Sequence, residues 1–239
     1  MNASAKTRIV TFASISALAI SHAHGAISLT ASVTDVTALD YTNVVGAWNF
    51  TNSGTDVVVQ GVTFFDVSTE GTTDGLTVVD GLLSDGGSFD NGRGISVTSG
   101  GTVADQTNLT ALFETTINGL QGSGSASDIV LDISGLASGT YKFQILVGQR
   151  NDRRNKVIAE GVDLGVWQTT TTGSNNYLIS DQVAVMDGTL NLRLAWPDTS
   201  DGDDRRTISG LIVNQIPEPS AALLGGLRAL LLLRRRRDA

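Results

Sequence analysis

Three groups of side chains are placed closely enough to do chemistry. The stretch Gln149-Arg150-Asn151-Asp152-Arg153-Arg154-Asn155 carries three guanidinium groups, and Arg205-Arg206 carries two more before a hydrophobic segment. Guanidinium forks grip carboxylate, sulfate or sugar hydroxyls; the alternative use is internal pairing with Asp152, Asp203 and Asp204. Asp198, Asp201, Asp203 and Asp204 supply hard oxygens of the kind that ligate Ca²⁺, although their spacing is not that of an EF-hand loop and a solvated hairpin is the favoured reading. Trp48, Trp167 and Trp196 offer flat faces on which a sugar ring could stack. Trp196 extends an apolar alternation and reads as core, whereas Trp167, followed by a Thr-rich stretch, is the better platform.

Other chemistry is excluded by residue type. The chain has no cysteine, and its two histidines are His22 and His24 near the N-terminus. Thiolate nucleophiles, disulfides, a Ser-His-Asp relay and imidazole-based zinc or copper sites are therefore ruled out. A glycosidase would need two carboxylates about 5–10 Å apart. Glu70, Glu114, Glu160 and Glu218 are the only glutamates, and several aspartates stand beside turn glycines, where they have a structural reason to be. No carboxylate pair stands out, so no catalytic residue is assigned. The expectation is a non-enzymatic protein, with a carboxylate-based polysaccharide hydrolase or lyase as the alternative.

The two ends read as addresses. Residues 1–25 carry Lys6 and Arg8, an apolar run from Ile9 to Ile20, and small residues around Ala23 and Gly25. This is the order of a secretory signal peptide. At the other end Ile216-Pro217-Glu218-Pro219-Ser220 precedes an apolar stretch, Ala221 to Leu233, and the cluster Arg234, Arg235, Arg236 and Arg237. The prolines cannot continue a helix and keep the peptide extended, and the arginines stop translocation and stay cytoplasmic.

Residues 216–239 resemble the PEP-CTERM sorting signal of Gram-negative bacteria, in which a Pro-Glu-Pro motif, a short hydrophobic helix and an arginine cluster follow in that order. The resemblance implies an exosortase-type sorting enzyme as partner, transient insertion in the inner membrane, and delivery to the cell surface or an extracellular polysaccharide matrix. Arg228 departs from the pattern by interrupting the apolar stretch. Thirteen helical residues reach only about 20 Å against a hydrocarbon core of roughly 30 Å, so the segment suits a transient stop better than a permanent anchor. Between Ala26 and Pro219, nine Lys or Arg stand against 23 Asp or Glu, a net of −14. Such a surface repels nucleic acid and anionic lipid.

Residues 26–215 must position the candidates, and they alternate with a period of two. Tyr141, Phe143, Ile145 and Val147 share one face; so do Leu190, Leu192, Leu194 and Trp196, and Ile129, Leu131 and Ile133. Further strands are expected at Val44–Phe50, Val57–Phe65, Leu76–Val79, Ile95–Thr98, Lys156–Gly161, Tyr177–Val185 and Ile208–Val213, with a short helix at Asn108–Ile117. Gly, Asn and Asp turns separate them. The fold class is all-β, a single jelly-roll-like β-sandwich. Ser134-Gly135-Leu136, Gly139-Thr140-Tyr141, the Arg150–Arg154 loop, Ala159-Glu160-Gly161 and Ile208-Ser209-Gly210-Leu211 together resemble the second half of galactose-binding-like or malectin-like domains. That resemblance implies a glycan-binding module using Trp167, Arg150, Arg153, Arg154, Arg205 and Arg206. A structural matrix protein without a specific ligand is the remaining reading.

Overall fold

The computed structural model describes residues 27–30, 33–50, 54–67, 71–80, 88–91, 96–118, 128–148, 154–168, 175–180, 182–195 and 206–218. Strands are numbered in chain order. One sheet runs β1 (Ile27–Thr30), β13 (Asn175–Ser180), β10 (Gly139–Gly148), β17 (Gly210–Ile216), β2 (Val44–Asn49), β4 (Val62–Asp66), β3 (Val57–Val59), with β14 (Val183–Val185) beside the first residues of β10. A second runs β12 (Val162–Gln168), β11 (Arg154–Ala159), β15 (Thr189–Ala195), β9 (Ile129–Ser134), β6 (Leu76–Asp80), β5 (Gly71–Thr73). A small third sheet joins β16 (Thr207–Ile208), β8 (Thr115–Asn118) and β7 (Ser88–Asn91). The fold is an all-β sandwich.

The alternation read from the sequence is the inner face of this sandwich. Tyr141, Phe143, Ile145 and Val147 of β10 meet Ile129, Leu131 and Ile133 of β9 and Leu190, Leu192 and Leu194 of β15 in one buried cluster. The first sheet is covered on its outer face as well. Ala47, Phe64, Leu146 and Ile212 pack against Leu109, Leu112 and Phe113 of helix α1 (Val103–Glu114) in a second core. The last six residues of β10 are therefore buried without alternation, as expected of a strand sandwiched on both faces.

Several boundaries differ from expectation for identifiable reasons. The helix begins at Val103 rather than Asn108, because Thr102 and Asp105 form a reciprocal capping box. It ends where β-branched Thr115, Thr116 and Ile117 turn the chain into β8. Val57–Phe65 is a hairpin rather than one strand, since Gln60 and Gly61 both take positive φ (51° and 76°). Tyr177–Val185 is split between β13 and β14; at the break the Phe143 amide donates to the Ser180 hydroxyl. Ser96–Thr98 carries no strand, though Val97 is buried. Trp196 lies outside the described residues.

Register gives the sandwich two unlike ends. Gly148 pairs with Asn175, Leu146 with Gly210, Gly210 with Asn49, Arg154 with Gln168, and Leu194 with Ile129. The strand ends bordering connections 119–127, 149–153, 169–174 and 196–205 thus stand together at one end. At the other end lie the tight turns Gln60-Gly61, Asp74-Gly75 and Glu160-Gly161, and there β17 delivers the chain to Pro217 and Glu218, both exposed.

Candidate functional site

Three of the residues the sequence singled out, Arg154, Trp167 and Arg206, stand at the end bordered by the long connections. Asn155 and Trp167 are direct cross-strand partners in β11 and β12, and the next pair outward, Arg154 and Gln168, closes the ladder. Arg206 stands immediately before β16 at the same end. Arg150, Arg153, Arg205 and the aspartates Asp198, Asp201, Asp203 and Asp204 lie outside the described residues, as do Pro219 and Arg234–Arg237. Among the described residues no group of carboxylates or other ligands could hold a metal ion, and no helix is long and apolar enough to cross a membrane.

Trp167 differs from its expected role as a surface platform. It is 4% exposed and belongs to the inter-sheet core: it pairs with inward-facing Asn155, and the register shift between Val157 and Ile158 makes Leu164 the extra residue of a bulge, so that Leu164 and Trp167 are both buried across an odd spacing while Val166 is exposed. Asn155 is turned inward by the period-two alternation of β11, in line with buried Val157 and Ala159. It is fully buried, and neither its Oδ1 nor its Nδ2 has a hydrogen-bond partner; the Trp167 Nε1 is likewise unpartnered. Leaving such a buried group unmet costs about 1–3 kcal/mol. A side-chain amide and an indole N–H without protein partners thus stand side by side inside an otherwise apolar layer.

Arg206 also departs from the picture of a solvated rim. It is fully buried, and its Nη2 lies 3.4 Å from Oδ1 of Asp128, itself buried. Arg193 Nε donates to Oδ2 of the same carboxylate at 2.7 Å, with Arg193 Nη2 also in contact. Asp128 precedes β9, opposite the end of β15, which lets one carboxylate join both guanidinium groups. The arrangement pins the chain entering β16 to the second sheet. Neither Asp128 nor Arg193 has a role in the sequence analysis; the only local signal is a carboxylate directly ahead of the alternating run Ile129, Leu131 and Ile133.

At the opposite end a cleft of about 270 Å³ lies between β2, the Asp74 turn and the segment after β9, with Trp48 and Tyr141 at its base and Asp74 and Gln215 on its sides. The aromatic polar tips are already used: Trp48 Nε1 donates to the Thr73 carbonyl at 3.0 Å, and the Tyr141 hydroxyl to the Ala137 carbonyl at 2.6 Å. Trp48 is 1% exposed, so it too is core and not a stacking platform. The cleft offers no unmet donor or acceptor at its base.

On the outer face of the second sheet Lys156 pairs with Asp163 at 2.9 Å. The Lys156 ammonium, aided by the Gly165 amide, holds the Asp163 carboxyl below the usual range.

No protein-family profile matches the sequence, and no curated protein matches it. Among solved structures the chain is similar to one described as plant peptide RALF23 in complex with FER and LLG2 (TM-score 0.44, 13% identity, 75% of this chain and 42% of that one). It is also similar to the ANX1 ectodomain from Arabidopsis thaliana (0.44, 12%, 74% and 52%) and to Bacteroides uniformis β-glucuronidase (0.42, 14%, 72% and 18%). The chain thus spans about half or less of each of these proteins.

Proposed function

We propose that the protein is an exported, non-enzymatic cell-surface or matrix protein that binds glycan at the end of its sandwich bordered by connections 149–153, 169–174 and 196–205, and that its C-terminal segment is a sorting signal. The observation that carries this reading is the opposition of the two ends. The strand ends bearing Arg154, Asn155, Trp167 and the approach to Arg206 meet at one end. The chain leaves for Pro217, Glu218 and the arginine cluster from the other, so processing of the tail and recognition of a ligand would not compete for the same surface.

The test has two arms. On a glycan array the full exported chain is expected to bind a restricted set of polysaccharides without releasing reducing ends. Arrays run with Ca²⁺ and with a chelator assign a role, or none, to Asp198, Asp201, Asp203 and Asp204. In cells, replacing Pro217, Glu218 and Pro219 by Ala is expected to leave an unprocessed form at the inner membrane. Unchanged mass and location in cells lacking the sorting enzyme would overturn the sorting half, and an array without binding would overturn the glycan half.

A further inference from the structure

We infer that Asn155 and Trp167 form a buried hydroxyl-binding subsite that takes a neutral, polyhydroxylated ligand; this rests on the glycan reading above and specifies where that ligand is anchored. The two residues are directly opposite on adjacent strands, where Cβ atoms stand about 4.5–5.5 Å apart. Both point between the sheets, in the last inward-facing row before the ladder ends at Arg154 and Gln168. Three polar atoms there lack partners: Asn155 Oδ1, Asn155 Nδ2 and Trp167 Nε1.

The donor and acceptor inventory selects the guest. Nδ2 and Nε1 donate, and Oδ1 accepts. A carboxylate or phosphate satisfies the donors but faces Oδ1 with a second acceptor. A cation satisfies Oδ1 and leaves both N–H groups unmet. A hydroxyl donates and accepts at once, and two neighbouring hydroxyls match all three atoms: one donates to Oδ1 and accepts from Nδ2 while the other accepts from the indole Nε1. The assignment holds whichever way the amide is oriented, because exchanging its oxygen and nitrogen preserves one acceptor beside two donors. The apolar remainder of the layer, Val157 and Leu164 among it, suits the C–H faces of such a molecule.

The test is a titration of the full exported chain with methyl glucoside, methyl galactoside, maltose and cellobiose, read in the indole N–H region of an NMR spectrum. Trp167→Phe identifies the Trp167 signal by its loss. The expected result is that a bound sugar moves this signal while that of Trp48, whose N–H is held by Thr73, stays in place. Trp167→Phe and Asn155→Leu are each expected to weaken binding by about tenfold, and Asn155→Leu to raise the melting temperature of the sugar-free protein by removing an unmet amide. Wild-type binding with an unmoved Trp167 signal and undiminished affinity in Trp167→Phe would overturn the subsite, leaving an internal water as its only occupant, and would spare the glycan reading. Absence of binding by the wild type to these sugars and to the array would overturn both. Should Asn155→Leu fail to fold, the Trp167 signal and Trp167→Phe decide.

Discussion

The backbone carbonyl of Phe113, near the end of α1, lies over Gly148 so closely that a Cβ on Gly148 would stand 1.5 Å from the carbonyl oxygen. The Gly148 amide meanwhile donates to the Ser209 hydroxyl at 2.9 Å. Helix, β10 and the approach to β17 therefore meet where only a hydrogen side chain fits. Gly148→Ala must displace the helix end or break the ladder, and is expected to destabilise by ~3 kcal/mol, the upper range for overpacking. Urea denaturation monitored by circular dichroism checks this, and a loss below about 1 kcal/mol would contradict the close packing.

Asp128 joins two guanidinium groups, one buried and one partly exposed. Removing the carboxylate breaks an ion pair of fully buried Arg206, so Asp128→Ala is expected to cost about 3–5 kcal/mol. Arg193→Ala leaves Asp128 with Arg206 and removes a guanidinium 42% exposed to solvent, for which ~1 kcal/mol is expected. Equal losses in the two variants, measured by chemical denaturation, would refute this hierarchy.

The Asp105 carboxylate closes the helix cap and a hairpin together. It accepts from the Thr102 amide and hydroxyl at 2.9 and 2.8 Å, and from the Gln60 amide and side chain at 2.7 and 3.0 Å. Thr102→Ala should cost about 1 kcal/mol, as for other N-caps. Asp105→Ala should cost more, because it also releases the Gln60 turn between β3 and β4. Thermal melting of the two variants side by side tests the order.

Acid should weaken the fold through Asp40. Burial raises its carboxyl, but the Lys142 ammonium and the hydroxyl and amide of Thr42 outweigh that and bring it down to about 2 from 3.8. A carboxylate whose folded-state pKa is depressed contributes its full stability above the unfolded value and loses it as pH falls through the folded one. The contribution of Asp40 should therefore disappear between about pH 4 and pH 2. Asp40→Asn should flatten the melting temperature in that window relative to wild type, and parallel wild-type and variant curves would refute the assignment.

The strands of the inter-sheet core were readable because their alternation is local: Phe143, Ile145 and Val147, or Leu190, Leu192 and Leu194, declare a face without reference to any partner. The second core was not, since Leu146 and Ile212 become buried only when α1 covers the outer face. The helix start was available in Thr102 and Asp105, and was obscured because the apolar residues of the first turn, Val103 and Ala104, are exposed and belong to no buried stripe. The candidate site was legible in part. Asn155 read as the tail of an arginine-rich loop, and the hydrogen-bonding state of its amide follows from what lies opposite it, which a linear order does not contain.

Residue types and their order were sufficient to establish an all-β chain without thiol chemistry, because composition and period-two alternation are properties of the chain alone. Which residues share an end of the sandwich was decided by strand register between segments as distant as Asp128 and Arg206, or Gly148 and Ser209. Register also turned Trp167 from the surface into the core and set it against Asn155. A side chain's inward or outward aim is fixed by pairing across strands, and pairing energy depends on neighbours that only folding brings together.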